Sequence, residues 1–248
     1  MRFRKEVIIL VAILLGGTIF VQSKIKFEFS EQNNSSDTEI SPYFINISPS
    51  KISNSTIEIN GNGEMDAFFL TDGTNGSVIN PYIIENSTID ADGSEICIKI
   101  MNTDRFLIIK NNTLHNTSKT PDSAGIYLQN CSNINIMENN FYNNTHGIFL
   151  NDSKFNNLSD NAVFNNDLGI MLDNSDYNNL TDNNVNGNEF SGINLKTSDN
   201  NNLTNNSATY NENGFVAEST INITFRGNIA YNNKYSGYNL ISLYIHIQ

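Results

Sequence analysis

A repeat of about 22 residues governs what this chain can become. Glycines at positions 125, 147, 169, 192, 214 and 237 are spaced by 22, 22, 23, 22 and 23 residues. They open short apolar alternations such as Gly125-Ile126-Tyr127-Leu128, Gly147-Ile148-Phe149-Leu150, Gly169-Ile170-Met171-Leu172 and Gly192-Ile193-Asn194-Leu195. Ile98-Lys99-Ile100 fits the same slot one coil earlier, with Cys97 in the glycine place. The sequence places a six-residue insertion, residues 118–123, between that coil and the next.

The last residue of each alternation serves as an anchor: Ile100, Leu128, Leu150, Leu172, Leu195 and Ala217. Eleven residues after each stands an asparagine: Asn111, Asn139, Asn161, Asn183, Asn206 and Asn228. Sixteen residues after each stands another: Asn116, Asn144, Asn166, Asn188, Asn211 and Asn233. Eight residues after comes an apolar column (Ile108, Ile136, Leu158, Leu180, Leu203, Phe225), and three after a small one (Thr103, Cys131, Ser153, Ser175, Ser198, Thr220).

At about 3.3 Å per residue, such a unit spans roughly 70 Å, enough to circle a narrow core once as three short strands and three turns. Each strand then pairs with its equivalent one coil away, about 4.8 Å distant, so like stacks on like. Apolar columns fill the interior. Asparagine columns mark turns, because Asn tolerates left-handed backbone and its amide bonds to the next Asn. A helical solenoid is excluded by the period-two alternation and by the helix-poor asparagine columns. The leucine pattern of a leucine-rich repeat is absent. The expected fold is therefore an all-β parallel β-helix over residues 42–248, with regular coils at about 96–240 and an irregular N-terminal cap. Within that cap Ile57-Glu58-Ile59 and Tyr82-Ile83-Ile84 read as strands, and Asn86 aligns with Asn111.

Residues 1–23 read as a signal peptide or membrane anchor. Arg2, Arg4 and Lys5 precede an apolar run at 7–21, and Val21-Gln22-Ser23 offers a cleavage site. The run is shorter than the roughly 20 residues of a membrane span, which favours cleavage. Residues 24–41, polar and rich in Ser and Asn, read as a flexible leader. The expected location is extracytoplasmic: secreted, periplasmic or at the cell surface, with the membrane touched only through the N-terminal segment. The net charge is −12. Loss of residues 1–23 removes Arg2, Arg4, Lys5 and Glu6, a net +2, and leaves −14. So acidic a chain argues against nucleic acid and anionic membranes. Cys97 and Cys131 lie one coil apart but about 20 Å along it, too far for a disulfide. Both are expected to be free thiols. Residues 238–247 end the chain on an apolar stretch without a cap, so truncation, dimerisation and end-to-end assembly at that coil are all open.

The glycine-led coils, with Asn80-Pro81-Tyr82-Ile83-Ile84-Glu85-Asn86, Ile98-Lys99-Ile100 and Ile108-Ile109-Lys110-Asn111-Asn112, resemble the NosD-like right-handed β-helix proteins. These belong to a wider group of carbohydrate-binding proteins and sugar hydrolases. The likeness covers roughly residues 55–240. It implies a right-handed solenoid in the periplasm or at the surface. Named members are linked to copper-site maturation, and relatives cleave, epimerise or bind polysaccharides. The catalytic patterns of those relatives are missing here. There is no Asn-Thr-Asp set followed by Asp-Asp and Gly-His-Gly, and no Asp-Pro-His-Asp. Arg105 and Arg226, the arginines beyond the N-terminal segment, stand in no lyase motif.

Other candidates follow from the repeat itself. Glu138, Asp160 and Asp182 stack on successive coils, one residue before the asparagine column. Carboxylates so spaced repel unless screened, and calcium would bridge them. The plain alternative is a solvated acidic strip. Tyr127 and Phe149, with Met171, occupy the position before the anchor, which should point outward. They are a candidate sugar-stacking pair, or a contact under a loop, or an assembly surface. His115, His146, Met101, Met137 and Met171 show no ligand spacing for copper. Sequons at Asn46, Asn86, Asn130, Asn157, Asn179 and Asn222 are potential glycosylation acceptors. Three readings stay open. The first is a non-catalytic exported module, needing no cofactor, that binds glycans or serves as a structural rod. The others are a polysaccharide-active enzyme whose site lies outside known motifs, and an accessory protein for copper-site maturation.

Overall fold

The structure, a computed structural model, describes residues 55–241 in full and the backbone of residues 6–15 and 18–28. Glu6–Leu15 and Thr18–Glu28 pair antiparallel within a separate unit, Met1–Ile45. Most of the expected leader, 24–41, and the end of the apolar C-terminal stretch lie outside the described residues.

Residues 55–241 form a right-handed parallel β-helix, the sense that right-twisted strands favour for parallel crossovers. One coil shows the plan. Ala124–Cys131 lies on a broad face, Ile134–Met137 on a middle face and Asn140–Tyr142 on a narrow third face. The three parallel sheets hold eight, seven and six strands respectively. The register is strict, pairing Ile126 with Ile148, Ile136 with Leu158, and Phe141 with Val163.

Alternation along each strand sends one row inward. The broad face contributes Ile98, Ile126, Ile148, Ile170, Ile193 and Phe215, all with no exposed area. The middle face contributes Ile109, Ile136, Leu158, Leu180 and Leu203, and the third face Leu114, Phe141, Val163, Val185 and Ala208, equally buried. The glycine column is there because the third face leaves no room. A Cβ on Gly147 would come within 2.3 Å of Val163 Cγ1 and 2.7 Å of the Gly169 carbonyl oxygen.

The turns close the core with side-chain amides. Asn183 donates its backbone N–H to Asn206 Oδ1 (3.0 Å), and its Nδ2 donates to Asn206 Oδ1 (2.9 Å) and to the Leu158 carbonyl (2.8 Å). Its own Oδ1 accepts from Asn161. The same pattern runs through Asn139, Asn161, Asn183 and Asn206 at one corner and Asn144, Asn166, Asn188 and Asn211 at the next. The small column forms a third polar ladder. The backbone N–H groups of Cys131, Ser153 and Ser175 donate to the hydroxyls of Ser153, Ser175 and Ser198. The backbone N–H groups that donate along these stacks are thereby satisfied by side chains of the next coil.

Three details depart from the sequence expectation. In the first full coil the ladder residues are Asn112 and Thr117, not Asn111 and Asn116. Likewise Ile109, not Ile108, faces the core. The cause is one extra residue at the corner before the middle face: four steps separate Thr103 from Leu107, but only three separate Cys131 from Ile134. Asn86 does align with Asn111, yet both occupy the left-handed turn position (φ 55° and 53°), while Ser87 holds the ladder place. The strands expected at 57–59 and 82–84 are present: Ile57–Asn60 and Tyr82–Glu85 join the broad and middle sheets in register. Between them sits a short helix, Asn62–Phe68. Its Asp66 takes two bonds from Arg105 (2.8 and 2.7 Å) and one from the Tyr82 hydroxyl (2.8 Å).

Candidate functional site

The pleat that fills the core also builds the outside. On the middle face one outward row reads Asn135, Asn157, Asn179 and Asn202, and the neighbouring row Met137, Ser159, Thr181 and Thr204. The amides are linked along the stack: Asn179 Nδ2 donates to Asn157 Oδ1 and Asn202 Nδ2 to Asn179 Oδ1, each at 2.8 Å. Across the rows, Asn179 Nδ2 also donates to Thr181 Oγ1 (3.0 Å), and the Thr204 hydroxyl donates to Asn202 Oδ1 (3.3 Å). An Asn carries two N–H donors and two acceptor lone pairs, and a hydroxyl carries one donor and two. These bonds fix the amide planes and leave part of that capacity facing solvent, at steps of about 4.8 Å along each row.

The corner between the broad and middle faces borders this surface. Its turn residue is left-handed in successive coils: Asn133 (φ 65°), Phe155 (58°), Tyr177 (55°), Asn200 (57°) and Asn222 (56°). Asn accepts that backbone readily, whereas a bulky side chain there is a marked outlier. Phe155 and Tyr177 nonetheless occupy it, 55 % and 51 % exposed. Their rings stack at 5.3 Å between centroids and 22° between planes. They do not plug the core, because Asn156 and Asn178 seal it beneath them. Around them Lys154 Nζ lies 5.9 Å from the Phe155 centroid, and Asp199 Oδ1 braces the turn by accepting from the Ile221 N–H (2.8 Å).

The opposite corner carries Glu138, Asp160 and Asp182. All three are exposed and left-handed (φ 56°, 56° and 55°), and they stack coil on coil as their spacing required. Their side chains hang from turns that point into solvent, and among the described residues no three His, Cys, Asp or Glu side chains converge on a metal position.

Tyr127 and Phe149 do point away from the main core, but they are not an open platform. They are 6 % and 7 % exposed and form a second buried cluster with Ala124, against which Ile96 and Met171 pack. Their rings meet edge to face at 5.2 Å, Asn151 Nδ2 donates to the Tyr127 hydroxyl (3.1 Å), and His146 stacks on Phe149 at 4.8 Å. Burial pushes the His146 imidazole below its ordinary value, and its Nδ1 lies 3.0 Å from the Ser123 carbonyl oxygen.

Among the described residues the cysteines and histidines do not come together as a copper site. Burial pushes the Cys97 thiol up to about 12 and the Cys131 thiol up to about 11, so neither offers a thiolate. Both are free. His115 stacks on Tyr142 (4.7 Å) on the third face, His146 begins a strand of the broad face, and His246 lies outside the described residues. Arg105 is held by Asp66 in the cap, and Arg226 stands exposed at the last strand of the middle face.

A family model described as periplasmic copper-binding protein (NosD) matches residues 50–242. Among solved structures, the periplasmic alginate epimerase AlgG is similar at 24 % identity and a TM-score of 0.59, over 80 % of this chain and 46 % of that one. The A-module of the Azotobacter vinelandii mannuronan C-5 epimerase AlgE6 is similar at 15 % identity and a TM-score of 0.48, over 60 % of this chain and 42 % of that one. The chain thus spans about half the length of these epimerases. No curated protein matches it at a significant level.

Proposed function

For a chain that belongs to the NosD family, we propose an exported, non-catalytic β-helix module that binds a glycan along its middle face. The observation that carries this reading is the solvent-facing lattice of Asn157, Asn179 and Asn202 beside Ser159, Thr181 and Thr204. Sugar hydroxyls both donate and accept, and a repeating polymer meets a repeating surface best when both present the same groups at regular intervals. Amides and hydroxyls held in fixed planes are already ordered, so binding loses little side-chain entropy. The family description and the β-helix epimerases of similar fold support an extracytoplasmic, polysaccharide-related setting. Binding without turnover is supported by the placement of Glu138, Asp160 and Asp182, which line an exposed corner on left-handed turns in solvent.

The test is retention of the full chain on a panel of neutral and acidic polysaccharides, with and without calcium, recording bound protein and new chain ends. Retention without new ends is expected. New ends would overturn the non-catalytic reading and redirect attention to carboxylates, and retention that requires calcium would assign Glu138, Asp160 and Asp182 a bridging role.

A further inference from the structure

We propose that Phe155 and Tyr177 form a sugar-stacking subsite for an uncharged glycan, which deepens the glycan-binding reading and rests on it. Four observations converge. The two residues sit at left-handed backbone positions (φ 58° and 55°) where the coils on either side use Asn133, Asn200 and Asn222. Strain of this kind persists where the surrounding structure over-determines it, and it clusters at active sites and ligand clamps. The rings contribute nothing to the core, which Asn156 and Asn178 already close. They are half exposed, stacked on each other and so held in one orientation. And they rise at the rim of the amide and hydroxyl lattice, since Phe155 lies two residues before Asn157 and Tyr177 two before Asn179. A pyranose presents an apolar C–H face and a polar hydroxyl edge. The aromatic rim matches the first and the lattice matches the second.

Charge decides the class of sugar. The far edge of the face is lined by exposed Glu138, Asp160 and Asp182, and the near corner carries Asp152, Asp176 and Asp199. Against these stand Lys154 beside Phe155, Lys110 paired with Glu85 (3.2 Å), and Arg226 at the last strand. A polyuronate laid on this face would meet carboxylates on both edges. A neutral chain meets no such penalty.

The experiment compares the wild-type full chain with the Phe155→Asn/Tyr177→Asn double variant. Asn is the residue that neighbouring coils use at this position, and Asn222 Nδ2 already bonds Asn200 Oδ1 there (3.1 Å). The variant should therefore fold with a melting temperature unchanged or raised. The probes are soluble xyloglucan, galactomannan and laminarin against polygalacturonate and alginate, read by affinity electrophoresis at low salt. Expected is binding of a neutral glycan by the wild type, weakened about tenfold or more in the variant, with no binding of the polyuronates. Equal neutral binding by both proteins would overturn the subsite and leave the glycan reading standing. Preference for a polyuronate would overturn the assigned class. Binding of none by the wild type would overturn the glycan reading and the subsite with it.

Discussion

The side-chain amide of Asn183 accepts from the backbone and side chain of Asn161 and donates to the Leu158 carbonyl and to Asn206, all out of contact with water. Truncation to Ala strands the Asn161 backbone N–H, the Leu158 carbonyl and one N–H of the Asn161 amide, while Asn206 Oδ1 keeps the backbone N–H of residue 183. Each buried orphan costs about 1–3 kcal/mol, so Asn183→Ala should lose more than about 3 kcal/mol in denaturant unfolding, with Asn184→Ala, on the exposed neighbour, near neutral. Gly169→Ala should be comparably severe, because a Cβ would lie 2.3 Å from the Gly192 carbonyl oxygen and 2.4 Å from Val185 Cγ1. Its melting temperature reports the loss. His146 adds a pH dependence. Burial depresses its folded pKa below the unfolded value, so the unfolded chain binds more protons there. The contribution to stability is present above about pH 6.5 and is lost as pH falls through the folded pKa. Unfolding free energy should rise with pH across that window in the wild type and flatten in His146→Gln.

At the scale of the coil, each unit touches only its neighbours, so stability is close to a sum of repeats. Duplicating residues 152–173 should lengthen the rod by about 4.8 Å without lowering the melting temperature; small-angle scattering and calorimetry check both. Unfolding of such a variant would mean that the coils are not interchangeable. The same uniformity made much of the fold readable from sequence. Wherever coils have equal length, stacked positions repeat, and the columns at Asn139, Asn161 and Asn183 fell in register. Reading failed by one residue at Asn111 and Asn116, where an extra residue between Thr103 and Leu107 was counted with the insertion at 118–123. A third amide ladder, Asn156, Asn178 and Asn201, went unseen because Ile134 and Ile223 hold the same place in other coils. The outward direction of Tyr127 and Phe149 was legible from alternation, but their burial was not, since cover comes from packing outside the strand. Phe155 and Tyr177 were missed for a different reason: residue type does not reveal the sign of φ, and only the column of Asn at equivalent positions hints that a left-handed turn lies there.

The β-helix of residues 55–241 is a rod whose three faces differ in what they offer. The broad face buries its outward aromatics, and the middle face keeps ordered amides and hydroxyls in solvent beside two strained rings. The thiols are sealed in the core, so Cys97 and Cys131 should resist a thiol-reactive dye in the native state and label only on unfolding. The measurement that bears most directly on the proposed role is a map of where a bound neutral glycan touches the chain, from backbone chemical-shift changes in the full-length protein. Changes should concentrate at Asn157–Ser159, Asn179–Thr181 and Asn202–Thr204 and at the Phe155 and Tyr177 corner. Changes confined to the broad face around Tyr127 and Asn151, with the middle face silent, would contradict it.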